Sequence, residues 1–292
     1  AYSRVAFLDG ATAWARIRAG DTGWPLGAAL VTATLLLMMV GVIGSLSTGY
    51  HVFGTDRVGA SVLVIATKSI RTALVIGLLT TLVVLPLAVG LGVAAGYFRG
   101  WLDDLIQYFY TMLASVPDVL LIAAAVLLLQ VYVDGHPELF ETALERADAR
   151  LFFLCVILGI TSFTGLCRLV RGEALKLREL EYVQAALAFG VRPGRILARH
   201  LLPNLMPIVL VSTVMQFSGF VLSEAVLSYL GVGVDPNTAS FGTLINSARM
   251  ELSASPVVWW TLAVAFVFML AIVLGANLFA DAVRDAFDPR AA

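Results

Sequence analysis

Two carboxylates, Asp118 and Glu224, stand inside apolar runs, where an ionised side chain is costly and by default marks a solute or ion path. Asp118 directly follows Pro117 near the middle of its run, and Glu224 falls in the outer half of another. Asp118 is read as facing a central cavity, where it would meet a substrate amine or an arginine of a partner. The alternative is an aspartate bonded to backbone that Pro117 leaves free. Ser212, Gln216 and Ser223 are candidates for lining the same path, and Gln216 and Ser223, seven apart, share a helix face. Other reactive sets are missing. His51, His136 and His200 have no second ligand at metal spacing, and no nucleophile–base pair or His-x-x-x-His is present, which excludes the usual intramembrane enzymes. Cys155 and Cys167 would lie ~18 Å apart along one helix, too far for a disulfide. No G-x-x-x-x-G-K-[ST] phosphate loop occurs, so the chain is expected to hold no cofactor.

One long run is both charged and helix-forming: RGEALKLRELEYVQAALAFGVRPGRILARHLLPNLMP, Arg171 to Pro207. Up to Leu187 it is rich in good helix formers, with apolar residues at three- and four-residue steps. Gly190 should end that helix, and Pro193 should open a short second one running through Arg195, Leu197 and Arg199 towards Pro203. The pattern is helix, turn, short helix, with an apolar and a basic side. It fits an amphipathic loop on lipid headgroups or a docking element for a soluble partner.

The elements that must position these residues are membrane spans. The chain is 60% hydrophobic and 13% charged, and its mean hydropathy of +0.91 exceeds what one soluble core requires. Much of its surface must therefore meet lipid. Its net charge of -1 gives no overall field for nucleic acid, which is not expected as a partner. Six runs approach the ~20 apolar residues of a crossing helix: Trp24–Leu46, Ile70–Tyr97, Leu105–Val133, Leu151–Val170, Leu205–Leu230 and Val257–Ala280. The first is read as a retained anchor rather than a cleaved signal, because it is too long and lacks a suitable cleavage site. Arg57, Lys68, Arg71, Arg146, Arg150 and Arg249 fall on one side, and the other thirteen of the 19 Lys and Arg on the opposite side. By the positive-inside rule both termini and the charged run are cytoplasmic. Pro86 and Pro117 should kink the second and third spans, and glycines 90, 92, 96, 159 and 165 should let helices approach closely.

Within the charged run, EYVQAALAFG, nine residues, then HLLP resembles the EAA signature of inner-membrane subunits of ABC importers. The matching positions are Gln184, Ala185, Ala186, Gly190, His200, Leu202 and Pro203. Gln184 stands where the signature has Glu and His200 where it has Ile; the histidine is usual in the peptide-importing branch. The resemblance continues in order through FGTDRVGASVL (Phe53 to Leu63), GYFRGWLDD (Gly96 to Asp104), SEAVLSYLGVGVDPNTASFGTLI (Ser223 to Ile245) and DAVRDAFDPR (Asp281 to Arg290). Ala60 and Ser61 replace an Arg-Asp pair of the first of these.

The chain is thereby identified as a member of the C-type permeases of the dipeptide, oligopeptide and nickel branch. This resemblance implies an all-α fold, the type I ABC importer permease, in a bacterial inner membrane. It implies a coupling hairpin over 171–207, with Arg195 and Leu197 beside the signature residues, and an acid at Glu224 that is common in the branch. The expected divisions are 1–67, holding the first span and the GTD segment, 68–285, the permease domain, and a tail 286–292. The implied partners are a homologous B-type permease, two ATPase subunits carrying ATP and Mg, an extracytoplasmic substrate-binding protein and membrane lipid. The rival class is an ion-coupled secondary transporter, which should show internal repeats and midplane coupling carboxylates; no convincing repeat is seen.

Overall fold

The computed structural model describes residues 26–136, 138, 142–253 and 255–287. Arg4, Arg16, Arg18 and Arg290, counted in the charge asymmetry, the start of the first expected span and Glu141 lie outside the described residues. The chain divides into a unit up to Gly54 and a second unit from Thr55 onward. The first unit carries α1, Leu26–Leu46, apolar apart from Thr32, Thr34 and Ser45, whose hydroxyls donate to backbone carbonyls three or four residues back, and followed by a turn in which the Tyr50 N–H donates to the Leu46 carbonyl at 2.9 Å.

The second unit is built from α2 (Val62–Phe98), α3 (Trp101–Ala114), α4 (Asp118–Gly135), α5 (Ala143–Arg178), α6 (Glu181–Ala188), α7 (Pro193–Ile196), a π turn (Leu197–Leu201), α8 (Leu202–Tyr229), α9 (Phe241–Leu252) and α10 (Trp260–Phe287). Among the described residues there is no strand, only an isolated bridge between Thr55 and Ser61. Within that bridge the Asp56 carboxylate accepts from the Val58 and Ala60 N–H groups at 3.0 and 2.7 Å, which explains the aspartate of the FGTDRVGASVL segment as a turn former. The Trp260 indole then donates to the Thr55 carbonyl at 3.0 Å, tying this turn to the start of α10.

Six helical stretches among the described residues are long and apolar enough to cross a membrane. The longest, α2 with 37 residues and α5 with 36, pack against each other. At ~1.5 Å per residue each is ~55 Å long, well beyond a hydrocarbon core of ~30 Å. Their contact is close because side chains are missing where they meet. A Cβ on Gly92 would lie 2.8 Å from the Cys167 carbonyl oxygen, and one on Gly96 would lie 2.6 Å from the Ala174 Cβ. Gly159 meets Val83 in the same way, whereas Gly90 and Gly165 face open space and are not contact glycines.

The third expected span needs correction. Leu105–Val133 is not one kinked helix but two, α3 and α4, separated by Ser115, Val116 and Pro117. The Ser115 hydroxyl donates to the Met112 carbonyl at 2.7 Å, and a residue before proline is pushed out of helical geometry, so α3 stops. Pro117 caps α4 and Asp118 is its first residue, which suits a negative charge at a helix N-terminus. Ile106 and Tyr110 of α3 pack among α2 residues 84–97 and α5 residues 163–174. Ile122 and Val126 of α4 pack with Ile76, Leu154, Cys155 and Leu158. The break therefore lies level with the middle of both long helices. Pro86, by contrast, sits inside an unbroken α2.

Candidate functional site

At one end of the bundle α5 gives way to the charged hairpin. Its first arm is broken rather than continuous to Leu187: α5 ends at Arg178, Leu180 is extended (φ -69, ψ 142), and α6 starts at Glu181. The short free-standing helix is thus α6. The second arm, expected to run as a short helix towards Pro203, instead continues from α7 through the π turn into α8, with Pro203 in the first turn of α8 and Pro207 inside it.

The turn between the arms has a local cause. Gly190 takes φ +70, where it has no Cβ to clash. Its N–H donates to the Leu187 carbonyl at 3.0 Å and that of Val191 to Ala186 at 3.0 Å, a Schellman closure of α6. Val183, Ile196, Leu201 and Leu205 are buried and join the core of α2 and α5, so the hairpin is seated on the bundle. Facing outward are Gln184, Ala185, Arg192, Arg195, Arg199 and Pro203, with Phe189 at the tip 87% exposed. Ala186, Leu197, His200 and Leu202 are half-buried. An apolar groove of about 340 Å³ runs beneath, between Pro86, Val89, Gly90 and Val93 of α2 and Leu197 and Leu202.

The sequence pattern brought the signature residues together but missed what holds them. The Tyr182 ring lies 5.7 Å from that of His200, and the Asn204 amide donates to the Tyr182 hydroxyl at 3.2 Å and the His200 carbonyl at 2.7 Å, locking the two arms. The α5–α6 joint carries three further contacts. Arg99 pairs with Glu179, the Arg178 guanidinium sits 5.7 Å over the Tyr97 ring, and the Gln184 amide donates to the Arg178 carbonyl at 2.9 Å. One residue pair below, Arg171 grips Asp103 at 2.5 and 2.7 Å. The GYFRGWLDD segment, which supplies Tyr97, Arg99 and Asp103, was the available signal.

The path candidates separate. Asp118 is exposed at the break, level with the middle of the two long helices. Ser212, Gln216 and Ser223 are half-buried along α8. Glu224 is 1% exposed and accepts from the Ser228 hydroxyl at 2.6 Å, and Ser228 in turn accepts from the Val234 N–H at 3.2 Å. That chain of bonds fastens the loop after α8, so in this conformation Glu224 is turned into the fold. At the same end Arg150 bridges Asp134 (2.6 Å) and Asp235 (3.1 Å). No cluster of three metal-ligating side chains occurs among the described residues.

A chain whose described residues are helical, with six candidate crossings and a hairpin seated on its longest helices, is by class a multi-pass membrane protein. Residues 88–292 match the family model described as the binding-protein-dependent transport system inner membrane component, and the chain belongs to that family. The oligopeptide transport system permease protein OppC of Mycobacterium tuberculosis (strain H37Rv) is 30% identical over 239 residues, 82% of this chain and 76% of that one. OppC of Haemophilus influenzae is 29% identical over 242 residues, 83% of this chain and 71% of that one. The dipeptide transport system permease protein DppC of Alkalihalophilus pseudofirmus is 31% identical over 240 residues, 82% of this chain and 72% of that one. The solved MetNI methionine ABC transporter, in an inward-facing conformation, has a chain matching with a TM-score of 0.50 at 17% identity, covering 76% of this chain and 96% of that one. At that identity the likeness establishes the fold, one shared with a chain of an ABC transporter.

Proposed function

We propose that this chain is the C-type member of a pair of homologous permease subunits in an importer of peptides or peptide-like solutes, powered by two ATPase subunits that dock on α6. The observation that supports this most is the hairpin tip: a Schellman-closed turn presents Phe189, 87% exposed, beside Arg192 and Arg195. Helices of ~55 Å stand this tip beyond the hydrocarbon layer, which favours a soluble partner over a headgroup-bound loop. The oligopeptide and dipeptide names of the relatives support the class of cargo. The hairpin and both termini are cytoplasmic in this reading, following the excess of basic residues on that side. The chain does no chemistry itself; ATP and Mg belong to the ATPases, and an extracytoplasmic binding protein delivers the cargo.

Closure of the ATPases would displace α6, and two routes carry that displacement into the bundle. The braces at Arg99, Arg178 and Arg171 pass it to α2, α3 and α5, and the unbroken α7–α8 arm passes it to the face bearing Ser212, Gln216 and Ser223. Asp118, open at mid-depth, would meet a cationic group of the cargo there.

The test is reconstitution with the partner permease, both ATPases and the binding protein, using the ligand that co-purifies with the binding protein, identified by mass spectrometry. Gly190→Pro and Leu197→Glu should abolish transport and ligand-stimulated ATPase activity while the permease pair still assembles. Normal coupling in both variants would refute the docking role. Unchanged transport and cargo range in Asp118→Asn would remove Asp118 from the path.

A further inference from the structure

We infer that Gln184 is a positioning residue: its side-chain amide splints α6 to the end of α5, and this work requires a donor that the glutamate of the signature lacks. The inference rests on the docking role proposed for α6 and concerns how that helix is aimed.

The joint between the helices is short. Glu179 and Leu180 separate them, and Leu180 is extended, so besides the seat of Val183 on the core and the Tyr182–Asn204 contact the angle of α6 depends on this two-residue link. The last carbonyls of α5 have no intrahelical partner at such an end. The Gln184 Nε2 donates to one of them, the Arg178 carbonyl oxygen, at 2.9 Å across six residues. It therefore joins the first turn of α6 to the terminal residue of α5. Arg178 is itself held, with its guanidinium over Tyr97 of α2, and its neighbour Glu179 pairs with Arg99. The amide thus extends to α6 a chain of contacts that begins on the longest helix of the bundle.

The chemistry of the contact discriminates between side chains. A carboxylate only accepts, and an accepting oxygen facing a carbonyl oxygen is repulsive. An ionised glutamate at position 184 would turn away from Arg178 and release the joint. A protonated one carries an O–H and would restore the bond. The first position of the signature in this chain consequently acts on its own backbone, and not through a charge offered to a partner.

The experiment uses the full chain assembled with its partner permease and ATPases in nanodiscs, with spin labels replacing the exposed side chains of Lys176 on α5 and Ala188 on α6. Wild type should give one narrow distance distribution at pH 8 and at pH 5. Gln184→Ala should broaden it at both, with ATPase activity of the assembled complex falling roughly threefold to tenfold, as for loss of one hydrogen bond in a joint that must be ordered to act. Gln184→Glu should be broad at pH 8, because an ionised carboxylate has no proton to donate to the Arg178 carbonyl, and should narrow only in part at pH 5, as the protonated fraction of a carboxyl with an ordinary value of about 4.3 grows. A distribution as narrow as wild type in Gln184→Glu at pH 8, or in Gln184→Ala, would overturn the splint. Broadened distances with unchanged ATPase activity would leave the splint standing and overturn its role in aiming α6.

Discussion

Arg171 and Asp103 meet in a two-point ion pair, Nε to Oδ1 at 2.5 Å and Nη2 to Oδ2 at 2.7 Å, that fastens the first turn of α3 to α5 just inside the hairpin. Both side chains are largely shielded, with 21% and 13% of their surface exposed, so each would be left desolvated without the other. Asp103→Ala should lower stability by about 2 kcal/mol, the worth of a charge-assisted pair. Arg171→Lys should recover only part of it, since an ammonium does not match both oxygens. Thermal unfolding of the detergent-purified chain reads this, and equal midpoints for wild type and Asp103→Ala would show that the pair carries no load.

The glycines of α2 make a sharper contrast. Gly90 and Gly92 lie two residues apart, yet a Cβ on Gly90 meets nothing within 4 Å, whereas one on Gly92 would lie 2.8 Å from the Cys167 carbonyl oxygen and 2.9 Å from Val170. Gly92→Ala should cost ~1–3 kcal/mol by forcing α2 and α5 apart. Gly90→Ala should be neutral or stabilise by up to ~1 kcal/mol through helix propensity alone. Indistinguishable unfolding midpoints for the two variants would contradict the close helix contact.

Most of the crossings were legible as long apolar runs, because lipid demands length and hydropathy of every span. The break at Ser115–Pro117 was not. Pro86 and Pro117 look alike in sequence, but the helix passes through Pro86 and stops before Pro117, where Ser115 closes α3 and the following helix packs on another level of the core. Proline marks a strained position, and tertiary packing decides whether the helix continues. The turn residues of the hairpin, Gly190 and Pro193, were readable from local chemistry. Its braces were not, because Arg171–Asp103 spans 68 residues and Arg99–Glu179 spans 80, and a charged residue does not announce its partner.

Arg150 offers a test at the other end. Its guanidinium bridges Asp134 at the end of α4 and Asp235 in the loop between α8 and α9, and the Gln130 amide supports the same loop at the Val232 carbonyl, 3.5 Å away. Arg150→Ala should speed amide hydrogen exchange across residues 231–240 severalfold, and Arg150→Lys should give an intermediate rate because one ammonium cannot span both carboxylates as a planar fork does. Exchange in that loop identical to wild type in Arg150→Ala would mean that the bridge does not hold it.

Glu224 distinguishes a path residue from a structural tie. Its carboxyl oxygen accepts from Ser228, and Ser228 accepts from the Val234 N–H, so the three form one line of bonds inside the fold. Gln keeps an oxygen acceptor of the same reach, and Glu224→Gln should therefore leave both stability and transport close to wild type. Glu224→Ala removes the acceptor from a buried hydroxyl and should cost ~1–3 kcal/mol, as should Ser228→Ala, which strands the Val234 N–H. Because the two act through one network, the double variant should cost clearly less than the sum of the singles. Thermal unfolding of the four variants, with transport measured in parallel, separates the cases. Additive losses would dissolve the network, and a transport defect in Glu224→Gln at unchanged stability would return Glu224 to the translocation path.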